Sequence, residues 1–287
     1  MGSYMCLQSC IPHEYPAMLS NTRLTAANNE TAILIYLHRF GWLKTRQIAA
    51  LVWPASAEGG GYSMAQRTLR RLKLAHKVIP KLAPDGATIY ALGQGGAKFL
   101  RDSAGLEEAK TTRDCMRCLT AYDHRALAND IAIDWIARGK NAWTEHEIQT
   151  GRAPVKVLRG KIPDVLLDWT EKTIAADGEV VLAWGEIENS WKSNHEMDRM
   201  LEFFCATLGA VDGQGLPRQF REPIDVTTSL GYGLIVIHTQ AELERIFRKL
   251  TAKKAAEPYA YAWESIANGL FIQGNTGNIF AVSRWLD

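Results

Sequence analysis

Two apolar runs separated by a turn constrain the fold of this chain more than any other feature. Asp164 opens the first run, Val-Leu-Leu-Asp-Trp, and the second run, Val-Val-Leu-Ala-Trp-Gly, ends in Glu186-Ile187-Glu188. The intervening Ala176-Asp177-Gly178 is typical of a turn, so the two runs predict an antiparallel hairpin. Such a hairpin brings Asp164 and the two glutamates to the same end of a sheet.

The three carboxylates of this hairpin predict a metal site. Side chains alternate along a strand, so Glu186 and Glu188 lie on one face, about 6.6 Å apart. Carboxylates that lie close together repel each other unless one of them takes up a proton or a cation binds between them. Oxygen donors suit a hard ion such as Mg²⁺ or Mn²⁺, which also binds substrate phosphate. We therefore expect Asp164, Glu186 and Glu188 to bind this ion, with a phosphodiester as the substrate.

At these residues the sequence resembles the PD-(D/E)xK nuclease superfamily, in which an acid follows Pro at a strand start and an acid-x-Lys motif lies on the next strand. Pro163-Asp164 and Glu186-Ile187-Glu188 match in place, although Glu188 stands where the family usually has Lys. Some members carry Glu there, and others draw the Lys from the following helix, where Lys192 lies. The resemblance implies metal ligation by Asp164 and Glu186, metal binding or proton acceptance by Glu188, and orientation of water or charge compensation by Lys192.

Charge divides the chain into a basic and an acidic part. Residues 1–120 hold 15 Lys and Arg against 8 Asp and Glu, a balance of +7. Residues 121–287 hold 18 against 23, a balance of −5. A basic module joined to an acidic one indicates that the first part contacts nucleic acid.

Three helical segments and a hairpin follow one another in the basic part. Apolar residues recur at helical spacing from Glu30, a second helix follows Thr45, and a third follows Ser63. Two short strands, Val78–Leu82 and Thr88–Leu92, flank a turn-forming Pro-Asp-Gly sequence. Three helices and a hairpin in this order predict a winged helix.

The third of these helices carries most of the basic charge. Between Tyr62 and Lys81 there are six basic residues and no acid, which suits a helix that enters a groove lined by phosphates. The alternative is a solvated face of a protein-binding winged helix. The residues expected to contact double-stranded DNA are Gln66, Arg67, Arg70, Arg71, Lys73, Lys77 and Lys81.

The acidic part reads as helix, strand, strand, strand, helix, strand, helix. Its first helix is expected at His124–Arg138 and its first strand at Asn141–Gln149, where Glu145 and Glu147 are possible further acids. This order is similar to the nuclease superfamily core, a mixed sheet flanked by helices. The sequence therefore predicts an α/β protein with a winged helix-turn-helix and a restriction-endonuclease-like domain. Its predicted divisions are an arm at 1–28, the winged helix at 29–102, a linker at 103–122 and the nuclease-like domain at 123–287.

A winged helix followed by this core resembles the replication-relaxation proteins of mobile elements, including plasmid mobilization relaxases that nick DNA. The resemblance implies a Mg²⁺- or Mn²⁺-dependent DNA endonuclease or nickase of plasmid mobilization or conjugation. It also implies double-stranded DNA and other mobilization or replication proteins as partners. The alternative is a replication or transcription regulator with an inactive nuclease-like domain, which the absence of Lys after Glu186-Ile187 favours.

Cysteine usage and hydropathy indicate a cytoplasmic protein that does not enter a membrane. The chain has five cysteines, and it has neither a secretion signal nor an apolar run of the roughly 20 residues that span a bilayer. Reduced thiols are therefore expected. The pairs Cys6/Cys10 and Cys115/Cys118 are an alternative source of four zinc ligands, although neither pair has zinc-ribbon spacing.

Overall fold

The computed structural model describes residues 22–56, 59–117, 119–170, 178–188, 193–208, 222–237, 245, 248–249, 270–273 and 282–284. Its N-terminal elements are four helices and three short strands within the described residues. These are α1 (Thr22–Phe40), β1 (Trp42–Lys44), α2 (Thr45–Val52), α3 (Gly60–Leu74), β2 (Val78–Leu82), β3 (Thr88–Leu92) and α4 (Gln94–Ala104). The bounds predicted for the two strands of the hairpin are confirmed.

The apolar face of α1 is the one that the sequence predicts. Ile33, Leu34, Leu37 and Phe40 are all fully buried. The helix begins at Thr22, so its first two turns fall within the segment predicted to be an arm. No proline lies between Thr22 and Phe40 to interrupt it.

The start of α3 differs from the predicted one. The sequence places a flexible glycine loop before Ser63, whereas the helix already begins at Gly60. A side chain at Gly61 would collide with the backbone carbonyl of Ser56, which lies in a short 3₁₀ turn at Pro54–Ser56. Gly61 thus permits the start of α3 to lie close to the Ser56 carbonyl, which a residue with a Cβ would prevent.

The strands β1, β2 and β3 form a small antiparallel sheet in the order β1-β3-β2. Trp42 pairs with Ala91, and Val78 pairs with Leu92. The turn between β2 and β3 contains Gly86 at φ +79°, a conformation that glycine adopts without strain. The sheet packs beside α1, so that these elements surround one apolar core.

The remaining elements build a larger mixed sheet flanked by helices. These are α5 (Tyr122–Ala137), β4 (Ala142–Thr144), α6 (Glu145–Gln149), β5 (Val165–Asp168), β6 (Val180–Glu188), α7 (Asn194–Leu208), β7 (Glu222–Pro223), β8 (Thr228–Ile237), β9 (Leu270–Gln273) and β10 (Val282–Arg284). The strand order is β10-β9-β8-β6-β5-β4, with β7 paired to β8. The pairs β6/β8 and β8/β9 are parallel and the others are antiparallel. A mixed α/β fold is therefore confirmed.

The helices α5 and α7 cover opposite faces of the larger sheet. Val165 and Ile187 belong to the core that contains α5 and the N-terminal helices. Leu182 and Trp184 belong to the core that contains Leu201 of α7. The alternation of side chains along β6 produces this division.

The predicted strand Asn141–Gln149 is wrong over its second half. The strand ends at Thr144, and the helix α6 follows at once. The Thr144 hydroxyl accepts a hydrogen bond from the Glu147 backbone N–H (3.2 Å), and Glu147 Oε2 accepts one from the Thr144 backbone N–H (3.0 Å). This reciprocal capping starts a helix. Glu145 and Glu147 therefore lie on α6 and not on a strand.

The segment predicted to be a linker packs against the N-terminal elements. Ala109 is fully buried, and the Thr112 hydroxyl accepts a hydrogen bond from the Leu92 backbone N–H (2.8 Å). A 3₁₀ turn follows at Arg113–Met116. The last helix of the order predicted from the sequence is expected at residues 241–256, most of which lie outside the described residues.

Candidate nucleic-acid interface and acidic site

A cleft of about 690 Å³ lies between α3 and the turn that joins β2 to β3. Five of its lining residues come from α3, three from the junction of β1 and α2, and the others from the β2–β3 turn and β3. The lining residues are Lys44, Thr45, Arg46, Tyr62, Gln66, Leu69, Arg70, Lys73, Asp85, Gly86, Ala87, Thr88 and Tyr90. Four of these side chains are cationic and one, Asp85, is acidic, so the cleft has a positive balance.

The packing of α3 directs two of its basic residues, Arg70 and Lys73, into this cleft. Ala65, Leu69 and Leu72 recur at helical spacing, which predicts that they face the core, and all three are buried. Arg70 and Lys73 are exposed, and neither has an ion-pair or hydrogen-bond partner among the described residues. Their charges are therefore available to a ligand.

Lys44 and Asp85 form an ion pair within the lining of the cleft. Lys44 Nζ lies 2.9 Å from Asp85 Oδ2, and the Tyr122 hydroxyl donates a hydrogen bond to Asp85 Oδ1 (2.7 Å). Burial opposes the charge of Asp85, but these two hydrogen bonds and the Ala87 N–H lower its pKa to about 2. Asp85 is thus a permanent anion, and its charge is compensated within the protein.

The other residues predicted to contact DNA lie outside the cleft lining. Arg67 is exposed on α3, and Arg71 Nε lies 3.1 Å from Glu30 Oε1 of α1. Lys77 Nζ lies 4.0 Å from the centroid of the Phe99 ring, and Lys81 donates a hydrogen bond to the Met116 carbonyl. Of the seven predicted residues, the cleft therefore contains Gln66, Arg70 and Lys73.

Sequence reasoning missed the cations on the other wall of the cleft. Lys44 and Arg46 flank the first residue of α2, and the basic pattern of α3 gives no indication of them. Arg46 is also bound to a buried acid, because its Nη2 lies 3.2 Å from Asp130 Oδ2. Burial raises the pKa of Asp130 to about 6, against the opposing effects of Arg46 and of a hydrogen bond from Gln47. A polar cluster thus joins the cleft to α5.

Asp164 lies next to the end of β6, as the predicted hairpin requires. It directly precedes β5, and Val165 pairs with Gly185 of β6. Asp164 Oδ2 accepts a hydrogen bond from the Ile187 backbone N–H (2.8 Å). Asp164 Oδ1 lies 2.9 Å from Nε2 of His124, a residue that sequence reasoning did not select. The carboxylate is therefore held from two sides.

The glutamates of β6 occupy two different environments. Glu186 Oε1 accepts a hydrogen bond from the Trp184 indole N–H (2.7 Å), while Glu188 is buried with 5% exposure. Within the part of the chain that the structure describes, no group of three or more His, Cys, Asp or Glu side chains is arranged to hold a metal ion. Lys192 lies outside the described residues. Of the predicted arrangement, the structure shows the contact of Asp164 with the end of β6.

A second set of buried titratable groups lies where α1 meets α6. Burial lowers the pKa of His38 to about 4 and that of His146 to about 3, so both imidazoles are neutral at pH 7. Cys115 Sγ lies 3.5 Å from His146 Nδ1, and burial raises the pKa of this free thiol. The other predicted zinc ligands, Cys6, Cys10 and Cys118, lie outside the described residues.

The fold and these two sites define a mixed α/β protein with a basic cleft in its N-terminal elements and an acidic strand end in its larger sheet. A profile of the replication-relaxation family matches residues 34–199, more than half of the chain. The chain belongs to this replication-relaxation family, which indicates a role in replication or DNA processing. The match spans the cleft, Asp164 and both glutamates of β6.

Other comparisons give no further relatives. No curated protein and no solved structure matches the chain. No helix among the described residues is long and apolar enough to cross a membrane.

Proposed function

We propose that this replication-relaxation protein binds double-stranded DNA through the cleft beside α3. In this proposal the N-terminal elements are a winged helix, α3 is its recognition helix, and the β2–β3 turn is its wing. The family supports a DNA ligand, and the arrangement of three helices with a small antiparallel sheet supports the winged helix. Other replication or mobilization proteins are proposed as partners at the bound DNA.

The observation that carries this proposal is the pair of uncompensated cations on α3. Arg70 and Lys73 are solvated and project into a cleft whose one acid is already paired with Lys44. Phosphate contacts by such side chains supply most of the sequence-independent affinity for DNA. Gln66, with a donor and an acceptor on one amide, lies among them and suits contact with a base edge.

Fluorescence anisotropy with a labelled duplex tests this function directly. We expect binding that weakens steeply with salt, and competition by unlabelled duplex. An uncharged competitor should have no effect. Failure to bind duplex DNA even at low ionic strength would refute the proposal.

A second proposed function is metal-dependent hydrolysis of the DNA backbone at a restriction-endonuclease-like site. The contact between Asp164 and the Ile187 backbone, which places one acid beside an acid-x-acid strand end, favours it. Carboxylates are suitable ligands for Mg²⁺ or Mn²⁺, and one or two of them suffice when water and phosphate complete the shell. The donor chemistry therefore fits the ion, and Asp164, Glu186 and Glu188 would hold it.

The bound ion would stabilise the developing charge on the phosphate and lower the pKa of the attacking water. Glu188 would assist metal binding or accept the proton of the water. Lys192, four residues beyond Glu188, would orient this water or compensate the phosphate charge. The alternative is a DNA-binding regulator in which the same strand end is inactive.

Cleavage of supercoiled plasmid with and without Mg²⁺ or Mn²⁺ separates these alternatives. An open-circle product would indicate nicking, and a linear product would indicate paired cuts. Asp164→Asn and Glu186→Gln should abolish both cleavage and any rise in melting temperature caused by the metal. His195→Ala is a suitable control, because His195 is exposed at the start of α7. Cleavage by Asp164→Asn at the parent rate would refute the catalytic assignment.

A further inference from the structure

A contact between His124 and Asp164 joins the first turn of α5 to the acidic strand end. His124 Nε2 lies 2.9 Å from Asp164 Oδ1, with side-chain exposures of 29% and 20%. The other carboxylate oxygen is fixed by the Ile187 backbone N–H. Two donors on different oxygens set both the position and the rotation of a carboxylate, whereas one donor leaves it free to swing.

The turn that carries His124 is itself anchored on both sides. Tyr122 has 3% exposure, its ring stacks on Trp42 with centroids 5.3 Å apart, and its hydroxyl donates to Asp85. Arg125 Nη2 donates to the carbonyl of Phe40 (3.2 Å). His124 therefore extends from a backbone that the N-terminal elements hold in place, and it contacts the larger sheet.

We propose that His124 is a positioning residue that holds the Asp164 carboxylate against the end of β6. This inference rests on the role proposed above for Asp164. With one lone pair of each oxygen engaged by His124 or Ile187, the remaining lone pairs of Asp164 are presented in a fixed direction to a ligand. His124 acts on the site through Asp164.

A pair of polar substitutions that differ in reach tests the proposal. Gln at position 124 can place an N–H close to the position of Nε2, whereas Asn is too short to do so. The measurement is hydrogen exchange at the Ile187 amide, which donates to Asp164, relative to the Leu182 amide in the middle of the same strand. We expect His124→Asn to accelerate exchange at Ile187 about tenfold relative to Leu182, the effect of losing one hydrogen bond to a charged group. His124→Gln should remain within about threefold of the parent, since its donor is restored.

Two results would overturn the proposal. One is an equal rate at Ile187 in the Asn variant, the Gln variant and the parent. The other is equal acceleration of Ile187 and Leu182, which would reflect a general loss of stability. His195→Ala provides the control for removal of an imidazole elsewhere.

Calorimetric titration with Mn²⁺ distinguishes the positioning role of His124 from the metal binding proposed for Asp164. We expect the Asn variant to bind Mn²⁺ about tenfold more weakly than the Gln variant. Unequal exchange rates together with equal Mn²⁺ affinities would overturn the functional part of the proposal. If the parent itself binds no Mn²⁺, the metal-dependent function is refuted, while the exchange ratio still decides whether His124 positions Asp164.

Discussion

Replacing Arg70 and Lys73 together by Ala should weaken DNA binding at low salt and make the remaining affinity less dependent on salt. Both side chains are exposed on α3 and have no ion-pair or hydrogen-bond partner among the described residues, so the substitution breaks no contact that stabilises the fold. Alanine also favours a helix at these positions. We therefore expect an unchanged melting temperature and a specific loss of electrostatic attraction.

The magnitude follows from the number of phosphate contacts removed. Each contact contributes about −0.9 to the slope of log K against log salt, so the loss of two should reduce the slope by about 1.8. Raising the salt from about 50 mM to about 200 mM should then shrink the difference in affinity between parent and variant about tenfold. The test is an anisotropy titration with one labelled duplex across this range of salt.

Lys98→Ala is the matched control for this experiment. Lys98 is an exposed lysine on α4, outside the cleft lining, and its Nζ lies 2.7 Å from Asp102 Oδ2. Its removal should leave the slope unchanged. A slope change below about 0.5 in the double variant, or an equal change in the control, would place the DNA contact elsewhere and refute the argument.

Two further predictions concern stability. Lowering the pH from about 7 to about 5 should reduce the free energy of unfolding by about 3 kcal/mol, measured by urea denaturation. Buried His38 and His146 are neutral in the folded protein, with pKa values of about 4 and about 3, and they bind protons once unfolded. Each of them therefore lowers the free energy of unfolding by about 2 kcal/mol. Asp130, with its pKa raised to about 6, takes up a proton in the folded protein and raises this free energy by about 1 kcal/mol. Stability that is constant or higher at the lower pH would contradict this sum. Gly96→Ala should cost about 2 kcal/mol, because its methyl group would collide with the Lys77 carbonyl, whereas Gly59→Ala enters open space and should cost much less.

The sign of the pH effect follows from the direction of each shift. Folding lowers the pKa of each of these histidines, so below pH 6.5 the unfolded chain binds protons that the folded protein does not bind. The free energy of unfolding therefore decreases as the pH falls. An aspartate whose pKa is raised contributes in the opposite direction, since its protonated form is favoured in the folded state. The two histidines dominate, so the net change on acidification is a loss.

The helix α5 gives the two candidate sites a common structural support. The Tyr122 hydroxyl donates a hydrogen bond to Asp85 in the β2–β3 turn, and His124, in the same helical turn, contacts Asp164. Further along the helix, Asp130 binds Arg46 of the cleft lining. Two polar residues of α5 are buried by such contacts: Asn129 donates a hydrogen bond to the Trp42 carbonyl (3.2 Å), and Asp130 binds Arg46.

Local patterning in the sequence determined the secondary structure near both sites. In the basic part of the chain, the two short apolar runs and the turn residues between them were enough to place β2 and β3 with their observed bounds. Helical spacing was enough to assign Ala65, Leu69 and Leu72 to the core and to leave Arg70 and Lys73 exposed. The order of the apolar runs predicted that Asp164 adjoins the end of β6. These features depend on neighbours within a few residues, so the sequence alone is enough to predict them.

Only the tertiary structure decided which distant residues complete each site. Lys44 and Arg46 join Arg70 and Lys73 because the β1–α2 junction packs beside α3, and no periodicity links these positions. His124 meets Asp164 across 40 residues because α5 lies on the sheet that contains β5. The Thr144–Glu147 capping pair likewise ends a strand that its alternation would continue. Contacts between separate elements depend on how their faces pack, and a one-dimensional pattern fixes the faces but not their partners.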